Sequence, residues 1–383
     1  RADSIFGSRS FGCPVVQSDG RSWGMGGAAS AVTGENFSPT NPAVISRFYR
    51  SGLTGMMIPE YRRPRDTAAS VNLRSFSVPI ARAVFPLRHR FVASGGVKQD
   101  YDLNWRFDGT KVFDGEDLNE YIVSNGSLFA LYGGVGRSFG RNFSAGIQAE
   151  FHRGRQERTW YLQSSQSEEE ENFRSLDVVK NRFAGHSFTA GILFYPYKWL
   201  HVGFSYQPGY GLSVDESLLA GTGYEENSTG HIDVPGTLAF GVSVHPGEKF
   251  LLGFDVEHSP WGSVDNSEAL PFEMNNYLRL SVGVEFVPSN DPLASYLKKW
   301  PIRTGIMYRI LPSRVDGESV DELSFTVGVG MGLREGRGRF DIFTQYSRRG
   351  SLEEIGLEER VIRFGISLSG FEKWVPKRKG RPI

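Results

Sequence analysis

Residues 323–333 read Leu-Ser-Phe-Thr-Val-Gly-Val-Gly-Met-Gly-Leu, which places Leu323, Phe325, Val327, Val329, Met331 and Leu333 on one face of an extended chain and Ser324, Thr326, Gly328, Gly330 and Gly332 on the other. A strand turns successive side chains to opposite faces, so this segment has one wholly apolar side and one small, polar side. The pattern recurs. Leu278, Leu280, Val282, Val284 and Phe286 alternate with Arg279, Ser281, Gly283 and Glu285, and Ile362, Phe364, Ile366 and Leu368 alternate with Arg363, Gly365 and Ser367. Residues 143–151, 200–206, 238–244 and 252–256 behave alike, the last setting Asp255 between Phe254 and Val256.

Read this way, the chain offers strands at 50–60, 69–86, 90–106, 119–138, 142–162, 182–196, 199–214, 230–245, 248–261, 274–288, 300–311, 319–334, 338–349 and 359–371, fourteen in all. Most exceed the 9–11 residues or so that a tilted strand needs to cross a bilayer. The connections give an independent argument. Tight turns at Leu87–His89, Phe139–Arg141, Pro196–Lys198, Pro246–Gly247 and Glu335–Arg337 alternate with long polar loops near 61–68, 107–118, 163–181, 215–229, 262–273, 312–318 and 350–358. Short turns on one side and long loops on the other is the outer-membrane order, with the turns in the periplasm. A soluble sandwich has no reason to keep it. Residues 289–299 break the rule by being longer on the short-turn side, and are expected to hold a helical turn.

Bulk composition agrees. The chain has 383 residues, 46 of them Gly, with 28 Phe, 15 Tyr and 7 Trp, as expected where small lumen residues alternate with bulky lipid-facing ones. Lys plus Arg equals Asp plus Glu at 43 each, which argues against a nucleic-acid partner. No run of about 18 apolar residues is present, so no transmembrane helix is expected. The chain opens without a charged-then-apolar leader, which fits a secretory protein already processed. Cys13 is the one cysteine, so no internal disulfide can form, and it reads as a small unmodified residue in a turn before Pro14.

Enzyme chemistry finds little support. Gly136-Arg137-Ser138-Phe139-Gly140 has the spacing of a hydrolase elbow, which needs a strand-to-helix turn, whereas here one strand leads into another. The seven histidines, His89, His152, His186, His201, His231, His245 and His258, lack metal-ligand spacing. The chain therefore reads as no enzyme and as needing no cofactor or metal. The acidic run Glu168–Glu171 reads as a solvated loop tip, or as a divalent-cation bridge to lipopolysaccharide, and the basic residues 375–383 read as a periplasmic tail. Arg279, Glu285, Asp255, Glu257, Arg363 and Asp341 should point inward and pair across strands.

Residues 21–46 do not alternate. They are small and glycine-rich, and a compact segment folded into the lumen accounts for them. Gly24-Met25-Gly26-Gly27-Ala28-Ala29 followed by Asn41-Pro42-Ala43 resembles the N-terminal hatch of the long-chain fatty-acid transporter (FadL-like) family of outer-membrane barrels. The C-terminal run from Ser347 through Phe364-Gly365-Ile366-Ser367-Leu368 to Trp374 is similar to the last hairpin of divergent, Bacteroidetes-like members. The resemblance implies an all-β, fourteen-stranded antiparallel barrel (49–374), a hatch (1–48) in its lumen, and passive movement of a small hydrophobic ligand that leaves sideways where a strand is kinked. Met25, Phe37, Asn41 and Pro42 are then the expected hatch or ligand contacts. Gly95 and Gly96, in the third strand, are the expected lateral opening, unless they merely make room for the hatch. The expected partners are outer-membrane lipid, lipopolysaccharide and a hydrophobic small molecule, with a single chain forming the barrel. Two rivals stand beside this reading: an accessory barrel that docks to a larger outer-membrane secretion or surface complex, and an outer-membrane lipase.

Overall fold

In the computed structural model, residues 4–66, 70–113, 116–164, 173–266, 270, 273–291, 293–333 and 336–372 are described. The run 168–171 and the tail 375–383 lie outside them. Fourteen antiparallel staves form one closed sheet. They are β1 (Ser51–Arg65), β2 (Leu73–Ser77 and Ile80–Pro86), β3 (Phe91–Asp102 and Trp105–Phe113), β4 (Glu116–Phe139), β5 (Phe143–Ser164), β6 (Phe173–Tyr197) and β7 (Leu200–Gln207 and Tyr210–Leu219). The second half comprises β8 (Glu225–Val234 and Thr237–Val244), β9 (Phe250–Ser259), β10 (Tyr277–Phe286), β11 (Ile302–Val315), β12 (Glu318–Gly332), β13 (Gly338–Ser351) and β14 (Leu357–Glu372). Pairing of β14 with β1, from Glu372↔Ser51 to Glu358↔Arg65, closes the barrel.

The alternation of residues 323–333 has a definite sense in three dimensions. Val327 is 61 % exposed and Thr326 is 1 % exposed, so the apolar face looks out and the small, polar face looks in. Leu53, Leu131, Phe151, Phe254, Val282, Phe325 and Phe364 likewise stand on the outside, while Glu322, Arg303, Asp341 and Arg349 are buried. A water-soluble sheet would bury the first set and expose the second; this inversion requires hydrocarbon outside. The apolar faces do not meet in a dry interior between two sheets.

Three strands are long, and of these β6 runs well past its expected limits. β4, β5 and β6 have 24, 22 and 25 residues, about twice what crossing requires. β6 begins at Phe173 and β8 at Glu225, where loops were expected to reach 181 and 229. Beyond the lipid belt both faces meet water, so an outward Lys180 or Arg182 is hydrated rather than set in hydrocarbon, and the apolar alternation that marks a strand disappears. The segment 289–299 does hold a helical turn, a 3-10 helix at Tyr296–Lys299.

Candidate functional site

Residues 4–48 occupy the lumen, and most of their side chains are buried. Their local structure is short and held by caps rather than by periodicity. Asp19 accepts the Ser22 N–H at 2.9 Å and so caps the five-residue helix α1, Gly20–Gly24. Gly26 and Gly27 follow at φ of +68° and +85°, a left-handed conformation that other residues adopt at a cost. Asn41 accepts the Ala43 N–H at 3.0 Å and caps the 3-10 turn Pro42–Arg47, with Pro42 in the first position where no donor is needed. Cys13–Pro14 forms a two-residue strand against Asp102 and Tyr101 inside β3, where the sequence reading placed a turn.

The structure gathers Met25, Phe37, Asn41 and Pro42 in this inner segment, all buried, at separate places on the wall. Met25 packs with Val32 and Leu251 and lies against Gly283 and Gly305, where any Cβ would overlap its backbone. Phe37 sits among Phe48, Val84, Val92 and Phe371, its ring 5.1 Å from Phe48 and 5.8 Å from Phe371. Asn41 donates to the carbonyls of Ser30 at 2.9 Å and Ile192 of β6 at 3.1 Å. Pro42 fills the space left by Gly146 and Gly191. None of these four donates or accepts toward an open cavity; each seats the segment on the barrel.

Charge does the rest of the seating. Glu285 binds Arg21 of the inner segment at 2.7 Å and Arg303 of β11 at 2.6 Å, and Arg303 reaches Asp341 of β13 at 2.6 Å. Arg339 joins Asp341 at 2.7 Å and approaches Asp19 at 3.7 Å. Higher up, Glu322 accepts from Arg309 at 2.8 Å and Arg349 at 2.7 Å, while Arg349 also binds Glu359 and the hydroxyl of Ser4. Arg363 pairs with Glu60. Arg279 joins Glu257 at 2.6 Å and donates to the carbonyl of Gly27 at 3.1 Å. Arg82 of β2, which no alternation argument singled out, donates to the carbonyls of Phe37 and Ser38. Each buried charge meets an opposite charge or a backbone dipole, the condition for leaving water.

Asp100, Glu150 and His152 converge and are buried, a set that could hold a cation. The ammonium of Lys98 already stands there, 2.7 Å from Glu150 and 3.7 Å from Asp100, and His152 Nδ1 and Asp100 are 2.8 Å apart. The grouping is therefore a polar knot in which Lys98 stands where a cation would, tied to the inner segment by Gln17, which bonds Asp100 at 2.8 Å and Lys98 at 3.1 Å. Sequence spacing could not find it, because Lys98 and Glu150 sit on different strands. Ser138 of the hydrolase-like run closes β4, its hydroxyl donating to the Ser46 carbonyl at 3.2 Å.

Among the described residues two interruptions of the wall stand out, one between β6 and β7, where no pairing is made between Ala190↔Tyr206 and Gly185↔Leu212, and one between β2 and β3. Gly95 and Gly96 are laddered on both sides, to Ala83 and Arg82 of β2 and to Gly133 and Tyr132 of β4. The break lies a few residues on. β2 is interrupted at Val78–Pro79, and β3 bulges between Gln99 and Tyr101 and is interrupted after Asp102. Among the described residues, Leu73–Ser77 pairs with β1 and with no residue of β3, and Trp105–Phe113 pairs with β4 alone. Adjacent glycines only loosen a ladder, whereas a proline removes a donor from it. Behind the gap lies a cavity of about 250 Å³, lined by Phe76, Val78 and Phe129 and by Arg62, Arg309, Arg349 and Arg363 together with Glu60 and Asp102.

Comparison with known proteins places this architecture. Solved structures of the Pseudomonas putida toluene transporter TodX superpose with a TM-score of 0.59 at 14 % identity, over 92 % of this chain and 97 % of that one. A second TodX structure gives 0.58 at 12 % identity over 96 % and 100 %. A TodX monoaromatic hydrocarbon channel mutant gives 0.59 at 13 % over 92 % and 98 %. At this identity the likeness establishes the fold alone, a closed antiparallel barrel built like that of TodX. No curated protein matches the sequence. A family model described as BamG matches residues 15–380, nearly the whole chain, and the protein belongs to the BamG family.

Proposed function

We propose that this barrel is held shut by its own N-terminal hatch and serves as an accessory subunit of a larger outer-membrane assembly. The observation that carries the proposal is the mutual neutralisation of hatch and wall. Withdrawing the hatch would take Arg21 from Glu285, leaving it Arg303, and would take the donors Ala29 and Ser30 from Asp255 on the adjacent strand. Removing one partner of a buried ion pair costs about 3–5 kcal/mol, so an opening that breaks Arg21–Glu285 and Asp19–Arg339 together with the Asp255 hydrogen bonds is opposed. The long strands β4, β5 and β6 supply sheet surface beyond the membrane for a partner to grip. Planar-bilayer recording and uptake of labelled fatty acid or toluene into proteoliposomes test the closed state. Silence in both, with a stoichiometric outer-membrane partner cross-linked in native membranes, is the expected result; conduction or uptake by the wild-type protein would overturn it.

A second reading has a specific observation behind it. The gap between β2 and β3 and the cavity behind it offer a sideways route for a small hydrophobic molecule, as suits a barrel built like the toluene transporter TodX. The charged lining of the cavity, four arginines with Glu60 and Asp102, disfavours a bare hydrocarbon, which is why it ranks second. A cysteine pair across the gap, Ser77→Cys with Gln99→Cys, decides: oxidation abolishes uptake if this route is used.

A further inference from the structure

Outside the lumen, β4, β5 and β6 carry a basic cluster directly above the lipid belt. Arg155 and Arg182 are cross-strand partners in the β5–β6 ladder, and both side chains are exposed on the outer face. Among the described residues neither has a carboxylate within salt-bridge distance. Like charges placed directly opposite destabilise a sheet. Arg153 lies on the same face two residues nearer the membrane, and Lys180 two residues farther away, 3.9 Å from Glu157. Asp215 of β7 stands opposite Arg182, so four cations face two carboxylates. Arg153 pairs with Phe129 of β4, and Phe151 below it is 57 % exposed. Arg153, Arg155, Glu157, Lys180 and Arg182 line an open groove of about 1160 Å³ that continues onto the apolar belt at Phe129.

An anion between Arg155 and Arg182 would turn their repulsion into two charge-assisted contacts, and guanidinium forks match phosphate oxygens bidentately. The apolar surface beginning one residue pair below specifies a phosphate joined to acyl chains. We propose that Arg153, Arg155, Lys180 and Arg182 bind the phosphorylated headgroup of an outer-leaflet glycolipid of the lipid A type, its chains lying along Phe129 and Phe151. The site is independent of whether the lumen conducts.

The test is native mass spectrometry of the intact barrel, extracted in mild detergent and also reconstituted in nanodiscs with lipid A or with phosphatidylglycerol. Wild type should retain the glycolipid. The Arg155→Glu/Arg182→Glu double variant should lose it by tenfold or more, at roughly tenfold for each charge-assisted contact. Arg155→Gln/Arg182→Gln should lose it in part, and Lys298→Glu, on a turn at the other end of the barrel, should not. Migration of the unheated barrel on a gel shows that each variant is folded. Equal retention by folded double variants, equal retention of phosphatidylglycerol, or displacement of the glycolipid by millimolar inorganic phosphate would each overturn the assignment.

Discussion

Asp255 of β9 accepts both the backbone N–H and the hydroxyl of Ser30 at 2.8 Å, so a single wall carboxylate holds the turn of the inner segment by main chain and side chain together. The N–H of Ala29 reaches the same oxygen at 2.8 Å. Hydrogen bonds to a charged acceptor contribute about 1.5–3 kcal/mol each. Asp255→Ala should therefore destabilise the seating of the inner segment by about 3 kcal/mol, read as faster amide exchange at Ala29 and Ser30 with the barrel's own amides still protected. Unchanged exchange at those two amides would remove Asp255 from the lock.

Glu322 is buried among three arginines, accepting from Arg309 and Arg349 and lying 3.5 Å from Arg363. Glu322→Leu leaves that positive cluster without its central anion. The expected cost is about 3–5 kcal/mol, seen as a lower midpoint of heat-induced unfolding on gels, and larger than the cost of Glu358→Leu, whose partners Arg348 and Arg360 are about half exposed to solvent.

Gly305 and Gly283 lie so close to Met25 and Gly26 that a Cβ at either would meet the inner segment's backbone. Gly305→Val should displace the inner segment locally and admit small ions, measured as new single-channel events in a planar bilayer. Gly55→Ala is the control, because nothing lies within 4 Å of the Cβ it would add. A silent Gly305→Val barrel of native stability would show that the close approach is not needed.

Val327 faces outward near the middle of β12, and Thr326 beside it faces in and accepts the N–H of Gly26 at 3.0 Å. Val327→Lys should cost about 2–4 kcal/mol in refolding into lipid vesicles and should cost little if that face were wetted. Thr326→Ala should leave insertion intact and raise exchange at Gly26. The two neighbouring substitutions thus separate the lipid face from the lumen face in one strand.

The sequence by itself determined the sheet. Period-two runs such as 323–333 and 278–286 state which residues share a face, and the short-long order of connections states that the strands close into a membrane barrel. These signals are local, since a pleated strand alternates wherever it lies. They fade where both faces become polar, which is why the extension of β6 back to Phe173 was read as loop. The lumen was a matter for tertiary structure. Arg21 and Glu285 are 264 residues apart, and nothing in either neighbourhood names the other. Lys98 fills what would otherwise be a cation site only because β3 and β5 bring it to Glu150. Arg155 and Arg182 confront each other only because the β5–β6 register sets them so. Side-chain facing follows from the pitch of one strand, whereas the partner across a closed sheet or a filled lumen depends on the register of many strands at once, and no single stretch of sequence contains it.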